Sequence, residues 1–181
     1  MSKSESRRKA AMLRQRQIRS KAFSAQTDSR RPLFVADVML GRLAKWLRIA
    51  GFDVLYSNRF TDDELVNLSH EEGRILLSRD TRLLVRKAVK NFIFLESENI
   101  QSQLKQVFDV THTNSLPGFL TRCLACNDLL VEISRERVSE KVPRFVFETQ
   151  THFKSCSKCD RIYWAGTHRQ SVLHTLEKLL H

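Results

Sequence analysis

Leu33-Phe34-Val35-Ala36-Asp37-Val38-Met39-Leu40-Gly41-Arg42-Leu43-Ala44-Lys45-Trp46-Leu47-Arg48 is the stretch that decides the fold. Four apolar residues run up to a carboxylate at Asp37, the pattern of a strand buried on both faces of a parallel sheet. Met39, Leu40, Leu43, Leu47 and Ala50 then recur at helical spacing, and Gly51 stands where a helix stop belongs. The same strand-then-helix unit repeats along the chain. Val54-Leu55-Tyr56 predicts a second strand, and Thr61 with Glu64 opens a helix as a capping box, with Leu65 and Leu68 on its apolar face and Gly73 at its end. Ile75-Leu76-Leu77 predicts a third strand, followed by a helix carrying Leu83, Leu84 and Ala88. Phe92-Ile93-Phe94-Leu95 predicts a fourth, after which Ser97 is placed to cap a helix bearing Ile100, Leu104, Val107 and Phe108. Such alternation predicts an α/β fold with a central parallel sheet between helices.

The chain has 181 residues, 41% of them hydrophobic, enough for one ordinary domain and a small second module. No apolar run approaches the roughly 18 residues of a membrane span, and residues 1–31 hold no apolar stretch of the kind a secretory signal needs. A reducing, cytoplasmic location is therefore expected. The net charge of +11 is uneven: residues 1–31 carry ten Lys or Arg against Glu5 and Asp28. This tail is expected to be disordered or partly helical. It suits a polyanion such as structured RNA or a ribosome, because each neutralised phosphate releases a counterion. An organellar targeting peptide is a further reading of its Arg-rich, acid-poor composition. Residues 110–120, with Asn114, Pro117 and Gly118, read as a linker. Residues 169–181, with Val172, Leu173, Leu176, Leu179 and Leu180, read as a C-terminal helix that packs back on the fold.

All four cysteines lie in residues 121–168, as Cys123-Leu-Ala-Cys126 and Cys156-Ser-Lys-Cys159. A two-residue gap lets one tight turn aim two thiolates at one ion, and two such turns close a tetrahedral zinc site with bonds of about 2.3 Å. Structural disulfides are rare in reducing compartments, and a redox motif needs no second pair. A closed four-cysteine site leaves no position for substrate, so the zinc is expected to be structural. The 29 residues between the pairs leave room for a hairpin or a helix. Asn127 and Asp160 follow the pairs where a knuckle turn wants positive φ, which these residue types tolerate. Phe153, Tyr163 and Trp164 are expected to form the module's small core, and His152 and His168 read as surface residues.

Ligands of parallel α/β sheets gather outside the C-terminal ends of the strands. Asp37 falls at the end of the first strand, Asp62 and Asp63 where the second hands over to a helix, and Asp80 just past the third. Carboxylates held together repel one another unless a cation joins them. Mg²⁺ or Mn²⁺ suits such oxygen ligands and the hydrolysis of phosphodiesters. Each acid also has a plain structural use near a helix N-terminus, as a cap or against the helix dipole. Arg42, Lys45, Arg48, Arg79 and Arg82 are candidate contacts to an RNA backbone, or a solvated basic face.

Phe34 to Arg48, with Gly51-Phe52-Asp53, Asp62-Asp63-Glu64-Leu65, Arg74-Ile75-Leu76-Leu77-Ser78-Arg79-Asp80, the two cysteine pairs and Tyr163-Trp164-Ala165-Gly166-Thr167-His168, resembles the Mut-seven C-terminal RNase family. That resemblance implies a PIN-like three-layer nuclease domain over residues 32–112 fused to a zinc ribbon over 121–168. It implies catalysis at a Mg²⁺ or Mn²⁺ site, with Asp37 and Asp80 as ligands, Asp62 as the best match for the acid on the second helix, and Asp63 as its adjacent candidate. Ser78 stands where the family commonly has a threonine. The expected function is metal-dependent hydrolysis of RNA, with ribbon and tail aiding RNA binding. The alternative is a non-catalytic RNA- or ribosome-binding protein that uses only the ribbon and tail. A toxin-like nuclease silenced by a partner protein is a third reading, although the sequence identifies no partner.

Overall fold

The computed structural model describes residues 31–166 and 168–180, so the basic tail apart from Arg31 lies outside the described residues. Four parallel strands, β1 (Leu33–Ala36), β2 (Asp53–Tyr56), β3 (Ile75–Ser78) and β4 (Phe92–Phe94), form one sheet in the order β2-β1-β3-β4. Successive side chains of a strand face opposite ways, and both faces here are covered. Phe34, Ala36, Ile75, Leu77 and Ile93 pack on one side with Leu43, Ala44, Leu47 and Ala50 of α1 (Gly41–Ala50) and Leu104, Val107 and Phe108 of α4 (Ile100–Val110). Val35, Leu76 and Phe92 pack on the other with Leu65 and Val66 of α2 (Asp62–Glu71) and Leu83 and Leu84 of α3 (Thr81–Leu84). The expected α/β fold with a central parallel sheet flanked by helices is thus observed. Each fully buried Phe or Leu contributes about 1.5–3 kcal/mol, so the two layers supply most of the fold's stability.

A second, antiparallel sheet joins β5 (Leu130–Ile133), β6 (Phe153–Cys156) and β7 (Ile162–Trp164) in that order. The insert between the cysteine pairs carries β5, a 3₁₀ turn at Arg135–Val138 and α5 (Arg144–Thr149). The final helix, α6 (Arg169–Lys178), returns to the main core through Leu176, with Val172, Leu179 and Leu180 beside it.

The Thr61–Glu64 capping box forms as expected. Three local expectations differ. The third helix is a single turn, and the chain tightens after it so that Val89 is buried while Ala88 is exposed. The cap of α4 is Asn99, whose Oδ1 accepts from the N–H of Gln101 (2.9 Å) and Ser102 (3.1 Å), while Ser97 Oγ accepts from Asn99 N–H. The core under the second sheet is Val138, Val142 and Phe153. Tyr163 is half-buried outside it, and Trp164 is 36% exposed.

Candidate active site and metal centre

The strand order reverses between β1 and β3, and Asp37 and Asp80, two of the sequence-predicted acids, lie at their C-terminal ends. This is the switch point at which open parallel sheets bind ligands. The backbone N–H of Asp37 donates to Leu77 O (3.0 Å), extending the ladder one residue beyond β1. Asp37 is 5% exposed, and its carboxylate makes no helix-capping hydrogen bond. Instead Ser78 Oγ donates to its Oδ2 (2.5 Å), and the same hydroxyl accepts from the N–H of Asp80 (2.9 Å). One serine thus ties the loop after β3 to the acid after β1. Asp80 also caps α3, its Oδ1 accepting from the N–H of Arg82 (2.7 Å). Asp37 Oδ1 and Asp80 Oδ2 have no hydrogen-bond partner among the described residues.

Asp62 and Asp63 occupy the first turn of α2 and are exposed. Asp63 forms an ion pair with Arg86, whereas Asp62 pairs with nothing described. Among the described residues, the only group of three or more acids, histidines or cysteines close enough to share an ion is the cysteine set. Asp37 and Asp80 are therefore linked through Ser78, and Asp62 is not gathered with them.

Arg42, Lys45 and Arg82 are exposed, and Arg79 is tied to Glu98 (2.9 Å). Arg48 corrects the expectation of a surface cation. It is 3% exposed and spends its guanidinium on backbone carbonyls: Nε (3.0 Å) and Nη2 (2.8 Å) on Val54 O, and Nη1 on Leu124 O and Ala125 O (3.0 Å each). Burial lowers its pKa, and the nearby Cys123, Cys126 and Asp53 oppose that shift. A helix position alone cannot tell a solvated arginine from one facing a second module, which is why sequence reasoning missed this role.

The four cysteine sulfurs lie within 4.8 Å of one another. The Cys123–Cys159, Cys126–Cys156 and Cys126–Cys159 separations are 3.5, 3.3 and 3.7 Å. A tetrahedron with zinc–sulfur bonds of about 2.3 Å has edges of about 3.8 Å, so the set could hold a metal ion such as zinc with small adjustments. Two matching knuckles build it. Asn127 N–H donates to Cys123 O and Cys123 N–H to Asp128 O, while Asp160 N–H donates to Cys156 O and Cys156 N–H to Arg161 O. Asn127 (φ 74°) and Asp160 (φ 56°) take the left-handed conformation expected of them. Burial pushes the Cys123 thiol up, but hydrogen bonds from the Tyr163 hydroxyl and from the N–H groups of Cys126 and Ala125 outweigh it and lower the thiol to about 6. At Cys126 burial dominates and raises the thiol to about 12.

The first knuckle is fastened to the parallel sheet. Asn127 Oδ1 accepts from Val54 N–H (2.9 Å), and its Nδ2 donates to Asp53 (2.9 Å). Asp53 also pairs with Arg74 (2.6 Å) and Arg122 (3.2 Å). Two tyrosines, read in the sequence only as a strand residue and a core residue, have roles the sequence did not show. Tyr56 donates its hydroxyl to Val38 O (2.9 Å) beside Asp37, and Tyr163 Oη lies 3.2 Å from Cys123 Sγ while accepting from Leu124 N–H (3.1 Å). Tyrosines at or near a strand end carry no pattern that separates such roles from packing.

Residues 32–176 match the family model for the Mut7-C RNAse domain, a span that includes the aspartates, Ser78 and all four cysteines. The chain belongs to that family. Searches of curated proteins and of solved structures gave no match. Membership in the Mut7-C RNase family points to a nuclease-type hydrolase, with RNA as its substrate or partner. No helix among the described residues is long and apolar enough to cross a membrane.

Proposed function

We propose that this Mut7-C family member is a PIN-like, metal-dependent ribonuclease that hydrolyses RNA phosphodiester bonds at the edge formed by Asp37, Asp80 and Asp62. The observation that carries this reading is the Asp37–Ser78–Asp80 link at the switch point of the sheet. Mg²⁺ usually takes one or two protein carboxylates and keeps several waters, so Asp37 and Asp80 fit as its holders, while exposed Asp62, which stands apart from them, would act only if drawn in with substrate. Asp63, engaged by Arg86, is the weaker candidate. When bound, Mg²⁺ or Mn²⁺ would supply charge for the leaving oxygen and lower the pKa of water. Ser78 holds the Asp37 carboxylate in one orientation. With Asp37 Oδ2 and Asp80 Oδ1 already engaged, Asp37 Oδ1 and Asp80 Oδ2 are the oxygens that would hold the ion. Exposed Arg42, Lys45 and Arg82 attract the RNA backbone, and Arg79 joins them if Glu98 releases it.

In the same reading the cysteines hold a structural zinc, residues 32–112 form the nuclease half and residues 121–168 the ribbon. The basic tail adds sequence-independent affinity for structured RNA or a ribosome in the cytoplasm. End-labelled single-stranded and structured RNA should be cut when Mn²⁺ or Mg²⁺ is added and left intact without it. RNA binding with no cleavage under any divalent cation would overturn the enzymatic reading in favour of a non-catalytic RNA-binding protein.

A further inference from the structure

A recess of about 290 Å³ lies between β6–β7, the start of α6 and the Phe119-Leu120 turn, on the cysteine-bearing module and outside the carboxylate edge. Its size is near the lower limit of small-ligand sites. Glu132, Lys154 and Tyr163 are cross-strand partners, so they share the face of the second sheet that lines it. Phe119 and Tyr163 supply aromatic wall, Trp164 lines the recess from the last position of the edge strand β7, and the Arg169 guanidinium lies 5.4 Å from the centre of the Phe119 ring. Tyr163 is pinned through its hydroxyl to Cys123 and Leu124, so its wall is rigid. Glu132 is the one acid lining the recess, and its contact with Lys154 is long, at 3.7 Å.

Tyr163 also lines a second, more open recess with Lys45, Leu124, Arg161 and Ile162. The two recesses thus share Tyr163 as a lining residue. Lys45 and Arg42 are exposed three residues apart on α1, neighbours on the helix surface. Arg42 stands at the end of α1 nearest Asp37, and no ion pair to Arg42, Lys45 or Arg161 forms among the described residues. A broken line of cations thus joins the carboxylate edge to an aromatic recess. This combination suits single-stranded nucleic acid, whose phosphates follow positive charge while unpaired bases stack on aromatic rings. An acidic peptide would satisfy the cations and leave the aromatic walls unused.

We propose that this recess is a nucleobase subsite of the ribonuclease, in which an unpaired RNA base stacks on Trp164 while the chain runs past Arg161, Lys45 and Arg42 toward Asp37. The proposal rests on the ribonuclease reading for its substrate class, and its test reads binding rather than cleavage. Trp46 and Trp164 are the two tryptophans, so Trp46→Phe leaves Trp164 as the single indole reporter. Titrating the full chain carrying that change with a short single-stranded RNA, without added Mg²⁺ or Mn²⁺, should quench its fluorescence saturably. Trp164→Ala should weaken RNA binding about tenfold, and Trp164→Phe should restore most of it. Joint Lys154→Ala and Arg169→Ala replacement should weaken binding and flatten its salt dependence. No quenching, with wild-type affinity in the alanine variants, would overturn the subsite. Equal quenching by an acidic peptide would overturn the choice of RNA. Cleavage without any Trp164 effect on binding would sink the subsite and spare the nuclease. Quenching and lost affinity in a chain that never cuts RNA would do the reverse.

Discussion

Asp53 shows how one carboxylate can tie separate parts of the chain together. Burial raises its pKa, but the Arg74 and Asn127 hydrogen bonds and the charges of Arg74 and Arg122 outweigh burial, so the net shift is downward. A folded-state pKa below the unfolded value of about 3.9 adds stability that is present above that value and lost as pH falls through the folded one. The stability gap between wild type and Asp53→Asn should therefore be full near neutrality and shrink as pH drops below about 4. Denaturant melts of both proteins across that range measure it, and a gap that widens on acidification would contradict the account. Arg48 is the second such residue. Hydrogen bonds from charged donors are worth about 1.5–3 kcal/mol, and unpaired buried acceptors cost about as much. Arg48→Ala, which strips Val54, Leu124 and Ala125 of their donor, should cost about 3 kcal/mol or more in urea unfolding. A loss under about 1 kcal/mol would show that these carbonyls find other partners.

Among the elements, the turn after α1 carries the closest constraint. Gly51 adopts φ 99°, and a Cβ there would come within 2.2 Å of Gly118 O and 2.5 Å of Gly118 N. The end of α1 therefore packs backbone to backbone against the segment leading to Cys123. Gly51→Ala combines a disfavoured conformation with a clash against main chain, so it should destabilise by about 2 kcal/mol or more. A thermal melt unchanged from wild type would contradict that. The sequence announced Gly51 as a helix stop and hid its second role, because a contact with Gly118 leaves no local pattern. The four strands were legible because runs such as Phe34-Val35-Ala36 and Ile75-Leu76-Leu77 are buried on both faces. The third helix was over-read because Leu83, Leu84 and Ala88 fit helical spacing as well as Leu83, Leu84 and Val89 fit a turn. The knuckles were legible in detail, down to positive φ at Asn127 and Asp160, because two-residue cysteine spacing admits few backbone solutions.

For the molecule as a whole, the two sheets are joined more firmly than a linker reading of residues 110–120 implies. Arg48, Asn127 and Asp53 bind the first knuckle to α1 and β2, and α6 returns Leu176 to the main core. These are contacts across 70 or more residues, where local sequence patterns say nothing. The acids at the switch point were legible one by one from strand ends. Their connection through Ser78 was not, since a serine after a buried strand is ordinarily just a polar terminus. The account stands most directly on Asp37, which is buried, makes no helix-capping hydrogen bond and is held by Ser78. The deciding measurement is Mn²⁺-dependent cleavage of end-labelled RNA by the wild type and by Asp37→Asn, each checked for folding by its thermal melt. The account predicts that the variant melts as a folded protein and no longer cuts. A folded variant cutting at the wild-type rate would place the chemistry elsewhere.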